Sequence, residues 1–574
     1  MNVTGQPPPQ VAKDWRNAWG AMVRNRRCVA SVMAAAAVTL VAACTPGPSP
    51  TTDQPTEAGP GYVEDAKTIN IVAGSEQKAV LEQIVRPWCQ AHQYTCDTEQ
   101  KGSVDQARLL ASGNKDFDAY WFASSVFEQV GNDGTRLRDV EPMFLTPTVF
   151  AGRKSEMQRL GLVGRADVTI TEVLQAVESG RTKVWVTNPT QSNSGATAYL
   201  ALLNHFAGNP AGQALTAAQL EQPAVTDGIT RFVRAVDRTP PSTGTLMSDC
   251  VDRPDDCRTV FTYEDLVAEY NQELVGRGQE PFYAVYPKDA LAISDAPLGF
   301  RPHDNQFDVD KERIVKELQD YLLNDPDAQA KLLRLGRRPA AKSFGLNLTG
   351  ADPAVFNADW GLRPVVTGQE VKPPAAAVIE AALDRYQTAF RRPAQAWFCL
   401  DGSGSMGGNN GWAGVQAAGH QLFDVEQARA NFLLTHPEDR TTVAIFNHVI
   451  AGGPWTVDGN DPSQLHGLAE HIDGYRADGG TDMYQCLARA ADDLAARRDE
   501  RKRLVVVLSD GASDQGGQQA ATAALQRAGV PVVAIAFGDD VDRTQLEQIA
   551  KDTEGSYFEQ SNLVTALQQA TSWR

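Results

Sequence analysis

The chain has 574 residues, 42% of them hydrophobic, and this length exceeds what a single hydrophobic core supports. We therefore expect two or three globular domains. The formal net charge of −18 argues against non-specific binding to nucleic acid and favours the attraction of cations.

The first 44 residues carry a predicted export signal. Three arginines within 24–27 precede an apolar run over 28–43, and a tract rich in Pro, Ser and Thr follows. A basic flank before a short apolar run is typical of a secretory signal. Residues 41–44 (VAAC) resemble a bacterial lipobox, which implies cleavage before Cys44, a lipid on its sulfur and anchoring to the outer face of the cell membrane. An uncleaved amino-terminal anchor is the alternative.

Six cysteines follow residue 44, an even number that fits an oxidising compartment. Two pairs have members seven residues apart, Cys89 with Cys96 and Cys250 with Cys257. Because neither pair forms a CxxC motif or has a partnered histidine, we predict disulfides rather than metal sites. The remaining two, Cys399 and Cys486, form either a third disulfide or two buried thiols.

Residues 45–66 are predicted to be a disordered tether, and an ordered α/β pattern begins at 67. Apolar strands are predicted at 69–73, 118–122, 147–152, 183–186, 281–286 and 290–295. Helices are predicted over 76–88 and 311–323. Alternation of strands and helices on this scale indicates an α/β domain.

The order of these pieces over 67–345 resembles the type 2 periplasmic solute-binding proteins. The matching features are a strand before the GSE sequence at 74–76, an NP loop at 188–189 that leads to SGA at a helix start (194–196), and a final helix before Gly-x-x-Pro. The resemblance implies two lobes that hold a solute between them. Carried over by position, the residues at that cleft are Gly74, Ser75, Ser124, Ser125, Thr190, Ser192 and Ser194.

Hydroxyls and N–H groups at a helix start, as at Ser192 and Ser194, can hold an oxyanion. Alternatively, residues 192–195 only cap the helix, or the domain is a scaffold that binds nothing. No Arg or Lys within these loops identifies the solute.

Residues 346–374 contain four prolines and little periodicity, so we predict an interdomain linker. From 375 to 574 an amphipathic helix is followed by alternating strands and helices. The predicted strands are 397–400, 441–446, 455–457, 504–508, 531–537 and 557–558. Strands without polar alternation indicate a parallel sheet covered on both faces, hence a doubly wound, Rossmann-like domain.

The stretch 396–407 (AWFCLDGSGSMG) ends a buried strand in Asp401, Ser403 and Ser405. Hard oxygen ligands at the carboxyl end of such a strand suit Mg²⁺, Mn²⁺ or Ca²⁺. A turn without a ligand is the alternative.

Other motifs explain this stretch less well. The glycines at 402, 404 and 407 match a dinucleotide fingerprint, but the helix begins too late and no acidic residue ends the next strand. An EF-hand loop would need an acid at Trp412. The sequence contains no HExxH, P-loop or Gly-x-Ser-x-Gly motif.

Two distant motifs complete a signature. Residues 479–482 (GGTD) open a helix, and 509–511 (SDG) end the most apolar strand. If that strand lies parallel beside 397–400, Asp510 reaches the same sheet edge as Asp401. The three motifs, with this spacing, resemble the von Willebrand factor type A domain.

This resemblance implies a metal-ion-dependent adhesion site. Hydroxyls of Ser403, Ser405 and Thr481 would coordinate the ion, and Asp401 and Asp510 would contact it directly or through water. Few anionic ligands would leave Mg²⁺ able to accept a partner's carboxylate. No general base or nucleophile stands beside the site, so we do not expect an enzyme.

The segment 407–424 is longer than the corresponding loop usually is in that family. We expect Trp412, His420 and Phe423 either to border the ion site or to belong to an ordinary surface loop.

Together these features predict a lipid-anchored, extracytoplasmic protein that binds a protein or carboxylate ligand through a metal ion. The first alternative is a receptor that captures a small solute for a membrane transporter. A chaperone-like assembly factor for a metal-dependent enzyme is another, against which the export signal argues.

Overall fold

The computed structural model describes residues 62–574, except 133–135, 211, 341–345, 409–410, 498, 512, 538–541, 560–566 and 569–574. The predicted leader, Cys44 and residues 45–61 of the tether therefore lie outside the described residues. Among the helices that are described, none combines the length and hydropathy needed to cross a bilayer.

The first lobe contains five strands: β1 (Thr68–Ala73), β2 (Thr95–Gln100), β3 (Ala119–Trp121), β4 (Arg138–Pro142) and β11 (Pro297–Phe300). They form one sheet in the order β2-β1-β3-β11-β4, with β1 parallel to both its neighbours and β11 antiparallel to both of its own. The helix α1 follows β1 in four consecutive pieces, Ser75–Gln77, Lys78–Val80, Leu81–Val85 and Arg86–Ala91. The others are α2 (Ser103–Ser112), α3 (Ser125–Asn132), α10 (Asp308–Asn324) and α11 (Pro326–Arg334).

The second lobe is built around β5 (Phe144–Arg153), a long strand paired with four others. Its remaining strands are β6 (Val184–Trp185), β7 (Val236–Arg238), β8 (Thr259–Tyr263), β9 (Phe282–Val285), β10 (Ile293–Ser294) and β12 (Arg338–Pro339). The sheet order is β10-β5-β8-β6-β7, and β9 and β12 also pair with β5.

The helices of the second lobe are α4 (Lys154–Arg159), α5 (Ile170–Glu178), α6 (Asn193–Phe206), α7 (Pro223–Ala235), α8 (Thr243–Asp252) and α9 (Glu264–Gly276), with a 3₁₀ turn at Ala217–Glu221. The two lobes that the resemblance implies are present as two sheets with separate apolar cores.

The segment 346–374, predicted as a linker, packs into the core of the second lobe. Leu348, Phe356, Trp360 and Leu362 are each at most 7% exposed and belong to the same apolar cluster as Trp185. A 3₁₀ turn, Ala358–Trp360, lies within it. The segment does join the two domains, but it is fixed against the first one because it buries apolar side chains there.

The second domain has six strands: β13 (Ala394–Asp401), β14 (Arg440–Phe446), β15 (Ile450–Asp458), β16 (Lys502–Ser509), β17 (Val532–Ala536) and β18 (Ser556–Glu559). Its helices are α12 (Ala376–Arg385), continued by Tyr386–Phe390, then α13 (Gly411–Phe423), α14 (Val425–Ala430), α15 (Pro462–Asp473), α16 (Met483–Ala496), α17 (Gln518–Ala528) and α18 (Arg543–Asp552).

These strands form one sheet in the order β15-β14-β13-β16-β17-β18, parallel except for the antiparallel edge strand β15. All eight residues of β13 are buried, because apolar clusters cover both faces of the sheet. The prediction of a doubly wound parallel sheet is confirmed. The order also makes β13 and β16 neighbours, as the placement of Asp401 and Asp510 requires.

Both domains belong to one compact unit, residues 59–574. The Tyr199 hydroxyl of the second lobe donates to the Ala382 carbonyl oxygen at 2.8 Å, and Arg385 pairs with Glu221 at 2.6 Å. The helix α12 therefore contacts the first domain and holds the second domain against it.

Three disulfides are present among the described residues. Cys89 is bonded to Cys96 and Cys250 to Cys257, as the seven-residue spacing predicts. A third bond joins Cys399 on β13 to Cys486 on α16, which resolves the alternative left open by the sequence.

Candidate functional site

The carboxyl ends of β13 and β16 lie side by side, with Leu400 opposite Leu508 in a parallel register. One residue further along each strand stand Asp401 and Ser509, followed by Asp510. Ser509 Oγ donates to Asp401 Oδ2 at 2.5 Å, which ties the two strand ends together. The sheet therefore brings the first and third sequence motifs to one place.

The first loop folds back on its own carboxylate. The Ser403 N–H donates to Asp401 Oδ1 at 2.9 Å, and the hydroxyls of Ser403 and Ser405 lie 3.1 Å apart. Asp401 and Ser403 are fully buried, whereas Ser405 is exposed. Two hydroxyls and a carboxylate thus converge at the mouth of the loop.

The Gly-Gly-Thr-Asp loop is held against this loop by backbone contacts. The Gly404 N–H donates to the Gly479 carbonyl, and the Asp478 N–H donates to the Gly402 carbonyl, both at 3.0 Å. Gly479 has a positive φ of 80°, which side chains rarely tolerate. Thr481 lies two residues further along the chain. Its carbonyl accepts from the Asp514 N–H at 2.8 Å, so all three loops are linked.

Electrostatics at the site indicate a need for positive charge. Burial raises the pKa of Asp401 to about 6, and the nearby Asp510 adds to the rise while hydrogen bonds from Ser403 and Ser509 oppose it. Asp510 Oδ1 is buried and has no hydrogen-bond partner among the described residues. Buried carboxylate oxygens normally have one.

These residues fit a divalent ion on two counts, the unpartnered Asp510 oxygen and a donor set made of hard oxygens. Within the described part of the chain, no three His, Cys, Asp or Glu side chains are grouped so that they could hold a metal. The candidate centre has two carboxylates, so the hydroxyls of Ser403, Ser405 and Thr481 would have to supply the remaining protein ligands of an ion.

The residues predicted to line the solute cleft fall into two groups. One group makes contacts at the junction of the lobes, and the other makes only local contacts. In one, Ser75 of the first lobe accepts from the Gly244 N–H of the second at 3.1 Å. Beside it, Ser194 Oγ lies 2.9 Å from Thr187 Oγ1 and 2.8 Å from Thr243 Oγ1, and Ser192 Oγ lies 3.3 Å from Thr243 Oγ1.

The other predicted residues serve local structure. Ser124 Oγ accepts from the Val126 N–H at 3.2 Å, and Ser125 is bound through its N–H and hydroxyl to Asp295. Thr190 donates to Asn188 Oδ1 at 2.9 Å. Gly74 lies beside Glu76 and Gln77, whose Oε1 atoms would be 2.0 and 2.5 Å from a Cβ built on it. Ser192 precedes α6 without a side-chain cap.

A charged cluster near this junction was not found from the sequence. Burial raises the pKa of Glu76 to about 7 and that of Asp265 to about 6, with the charge of Arg337 opposing both. Arg337, fully buried, lies 3.3 Å from Asp265 Oδ2 and donates to the Glu76 carbonyl at 2.5 Å. The two arginines of the GRRP sequence at 336–339 are the only local indication of this cluster, and that sequence predicts no more than the end of a helix.

Comparisons with protein families agree with this geometry. Residues 69–338 match the family described as bacterial extracellular solute-binding protein. Residues 397–572 match the family described as von Willebrand factor type A domain. The chain joins a solute-binding domain to a von Willebrand A domain.

Solved structures similar to the chain include the sulfate-binding protein SubI from Mycobacterium tuberculosis H37Rv, with 17% identity, a TM-score of 0.38, and coverage of 54% of this chain and 96% of SubI. AfuA from Actinobacillus pleuropneumoniae, with fructose-6-phosphate bound, has 10% identity, a TM-score of 0.41 and coverage of 56% and 98%. A periplasmic thiamin binding protein has 9% identity, a TM-score of 0.42 and coverage of 56% and 97%. A comparison with curated proteins gives no match. What these proteins bind is not transferred to this chain.

In the von Willebrand A domain, most of the segment 407–424, predicted as a long loop, is the helix α13, so the prediction of a loop is wrong. Phe423 packs edge-on against Phe398, and His420 lies between Asp424 and Asp473, at 2.8 and 3.0 Å. Trp412 is 8% exposed and contacts the ring of Tyr475. Apolar residues at 412, 415, 418 and 422 already have helical spacing.

Three side chains that support the loop after β13 were not predicted as site residues. Ser509 was noted only as part of the Ser-Asp-Gly motif, yet it binds Asp401 directly. The Tyr475 hydroxyl donates to the Gly402 carbonyl at 3.4 Å, and Asn447 Nδ2 donates to Asp478 Oδ1 at 3.3 Å. Tyr475 and Asn447 lie in connecting segments whose sequence has no distinguishing pattern.

Proposed function

We propose that this chain is an extracytoplasmic binding protein whose von Willebrand A domain takes a protein or carboxylate ligand through a divalent metal ion, Mg²⁺ in the first place and Mn²⁺ or Ca²⁺ as substitutes. The observation that carries the proposal is the meeting of Asp401 and Asp510 at adjacent strand ends, with one buried Asp510 oxygen unpartnered. When bound, the ion would supply an open coordination position for an oxygen of the partner.

The chain's own residues prepare this site. Ser509 and the Ser403 N–H hold the Asp401 carboxylate in place. Hydroxyls of Ser403, Ser405 and Thr481 add ligands without adding negative charge, so a bound cation would keep part of its charge for a partner carboxylate.

The location outside the cytoplasm is supported by the match to extracellular solute-binding proteins and by three disulfides, which persist in oxidising compartments. Attachment to the membrane through a lipid on Cys44 belongs to the same proposal.

Capture experiments test the metal-dependent role. We expect the full chain to retain a partner from cell-envelope extract in Mg²⁺, and to lose it in EDTA or after Asp401→Ala. Asp492→Ala, an exposed position on α16, is the matched control and should capture normally. Capture that persists in both EDTA and Asp401→Ala would contradict the proposal.

A second candidate function is capture of a small solute between the lobes for a membrane transporter. Glu76 Oε1, Gln77 Oε1 and Asn193 Oδ1 are buried acceptors without a hydrogen-bond partner among the described residues. Asn193 Nδ2 donates to the Tyr263 hydroxyl at 2.7 Å, and the charge of Glu76 acts on Tyr263, so these groups share one region. They favour a solute that carries N–H or O–H donors.

We expect such a solute to raise the unfolding temperature of the full chain without a need for metal. Small amines and polyols are suitable probes because their donors match the free acceptors. Asn193→Ala should remove the rise, and Asn209→Ala, in a turn remote from this cluster, should keep it. Equal rises in the two variants would exclude a site between the lobes.

A further inference from the structure

A cavity of about 800 Å³ lies where the two domains meet. The von Willebrand A domain contributes 501–503, at the start of β16, and 556–558 on β18, and the solute-binding domain contributes 237–241, of which 237 and 238 lie on β7. The metal loops begin at the other end of β16, about 23 Å away at 3.3 Å per residue. The volume is within the range of small-molecule sites, roughly 300–1,000 Å³.

The charge of this cavity is opposite to that of the chain as a whole, which is −18. Its described lining contains five cationic residues, Lys183, Arg238, Arg501, Lys502 and Arg503. It contains three acidic residues, Asp237, Asp249 and Asp256. Lys183 pairs with Asp237 at 3.5 Å, Arg501 with Asp499 at 2.5 Å and Arg238 with Glu554 at 4.0 Å, so part of this charge is already matched.

Lys502 is a cation of this lining for which the described residues form no ion pair. It is partly buried, and within the described residues no carboxylate lies within 4.0 Å of its ammonium group. Burial, aided by the charges of Arg392 and Arg238 and opposed by that of Asp237, lowers the pKa of Lys502 to about 8. A buried cation beside other cations is costly unless an anion joins it.

Arg392, next to this cavity, shows the same pattern. No described carboxylate pairs with its guanidinium, and its pKa is lowered by burial and by Arg234, with Asp237 opposing. The lining of the cavity itself therefore holds two more cationic residues than acidic ones.

The same cavity also has apolar lining residues. Pro240 and Pro241 of the solute-binding domain and Pro531 and Phe558 of the von Willebrand A domain line the same cavity. A ligand with one charged end and one apolar end would match both surfaces, whereas an inorganic ion would use only the cationic one.

We propose that this cavity binds a small organic oxyanion, a molecule with a phosphate or sulfate group, whose charged end lies at Lys502 and Arg238 and whose apolar part lies against Pro531 and Phe558. The site is separate from both the metal loops and the cleft between the lobes. Because both domains line it, the ligand would also strengthen their contact.

Phenyl sulfate is a suitable probe because its charge does not change over the pH range of interest. In calorimetry on the full chain at pH 8, with sodium chloride at matched ionic strength, we expect binding accompanied by proton uptake, since an anion beside Lys502 raises the pKa of its ammonium group. Proton uptake appears as a binding enthalpy that depends on the buffer's ionisation enthalpy. Affinity should be at least about tenfold lower at pH 9.5 than at pH 7.

Lys502→Gln should abolish both the binding and the proton uptake. Lys551→Gln, an exposed lysine at the end of α18, is the matched control and should keep them. Circular dichroism verifies that each variant is folded, and the pH dependence of the unmodified chain provides a test that needs no variant. Binding that is equal in Lys502→Gln, or that shows no proton uptake at pH 8, would overturn the proposal.

Discussion

Exchange of Asp401 for asparagine should lower the Mg²⁺ affinity of the chain by at least about 100-fold, because loss of outer-shell partners alone commonly costs 10–100-fold. The amide is nearly the same size as the carboxylate: its oxygen can still accept from the Ser403 N–H, and its NH₂ group can donate to Ser509 Oγ, which then accepts instead of donating. What is removed is one of only two negative charges at the candidate centre.

The same substitution should stabilise the chain in EDTA. The pKa of Asp401 rises from an ordinary 3.8 to about 6 in the folded chain, so ionisation of this group opposes folding. The cost is absent below pH 4, grows as the pH rises and is complete above about pH 6. At 1.36 kcal/mol per pH unit, the neutral amide should raise the free energy of unfolding at pH 7.5 by up to about 3 kcal/mol.

Titration calorimetry with Mg²⁺ and unfolding in EDTA measure the two effects on one protein. Asp492→Asn, at an exposed position, should change neither. A general structural defect would reduce metal affinity and stability together, whereas the metal centre requires them to change in opposite directions. Unchanged Mg²⁺ affinity in Asp401→Asn would be incompatible with this centre.

Removal of the disulfide between Cys399 and Cys486 should lower the stability of the von Willebrand A domain by about 4 kcal/mol. The bond spans 87 residues, and the entropy lost by the unfolded chain grows with the length of the closed loop. Both cysteines are fully buried in one apolar cluster, so alanines at these positions add the cost of a small cavity. The bond also links β13, which carries Asp401, to α16, which follows Thr481.

Hydrogen exchange measures this loss of stability in the full chain with both cysteines replaced by alanine. Amides on β13 and β16 should exchange faster. Replacement of Cys89 and Cys96 provides the control, because that loop spans only seven residues. It should cost about 2 kcal/mol less and leave exchange in the second domain unchanged. Equal exchange on β13 in the two double variants would contradict the prediction.

Much of the candidate metal centre could be predicted because its information is local. The strands 397–400 and 504–508 are apolar throughout, so they had to lie in a parallel sheet with both faces covered, and parallel strands place their carboxyl ends at one edge. Asp401 and Asp510 follow those strands directly. Their meeting was therefore implied by the pattern and needed only the sheet order.

Other features depend on contacts between distant residues. Whether Cys399 and Cys486 were bonded depended on α16 lying against β13. The segment 346–374 was predicted as a linker because its prolines interrupt any regular hydrophobic periodicity, although several of its apolar side chains are buried. Arg337 lies beside Glu76, 261 residues away in the chain, and nothing near either residue in the sequence indicates the other.

By itself, then, the sequence determined the two α/β domains, the two short disulfides and the motifs that converge near Asp401, because hydrophobic periodicity and residue spacing are properties of neighbouring residues. Only the tertiary structure decided which strands became neighbours, what covered 346–374, how Glu76 was surrounded and which charges lie around Lys502. Burial and charge balance depend on which surfaces meet, and that is settled when the whole chain packs.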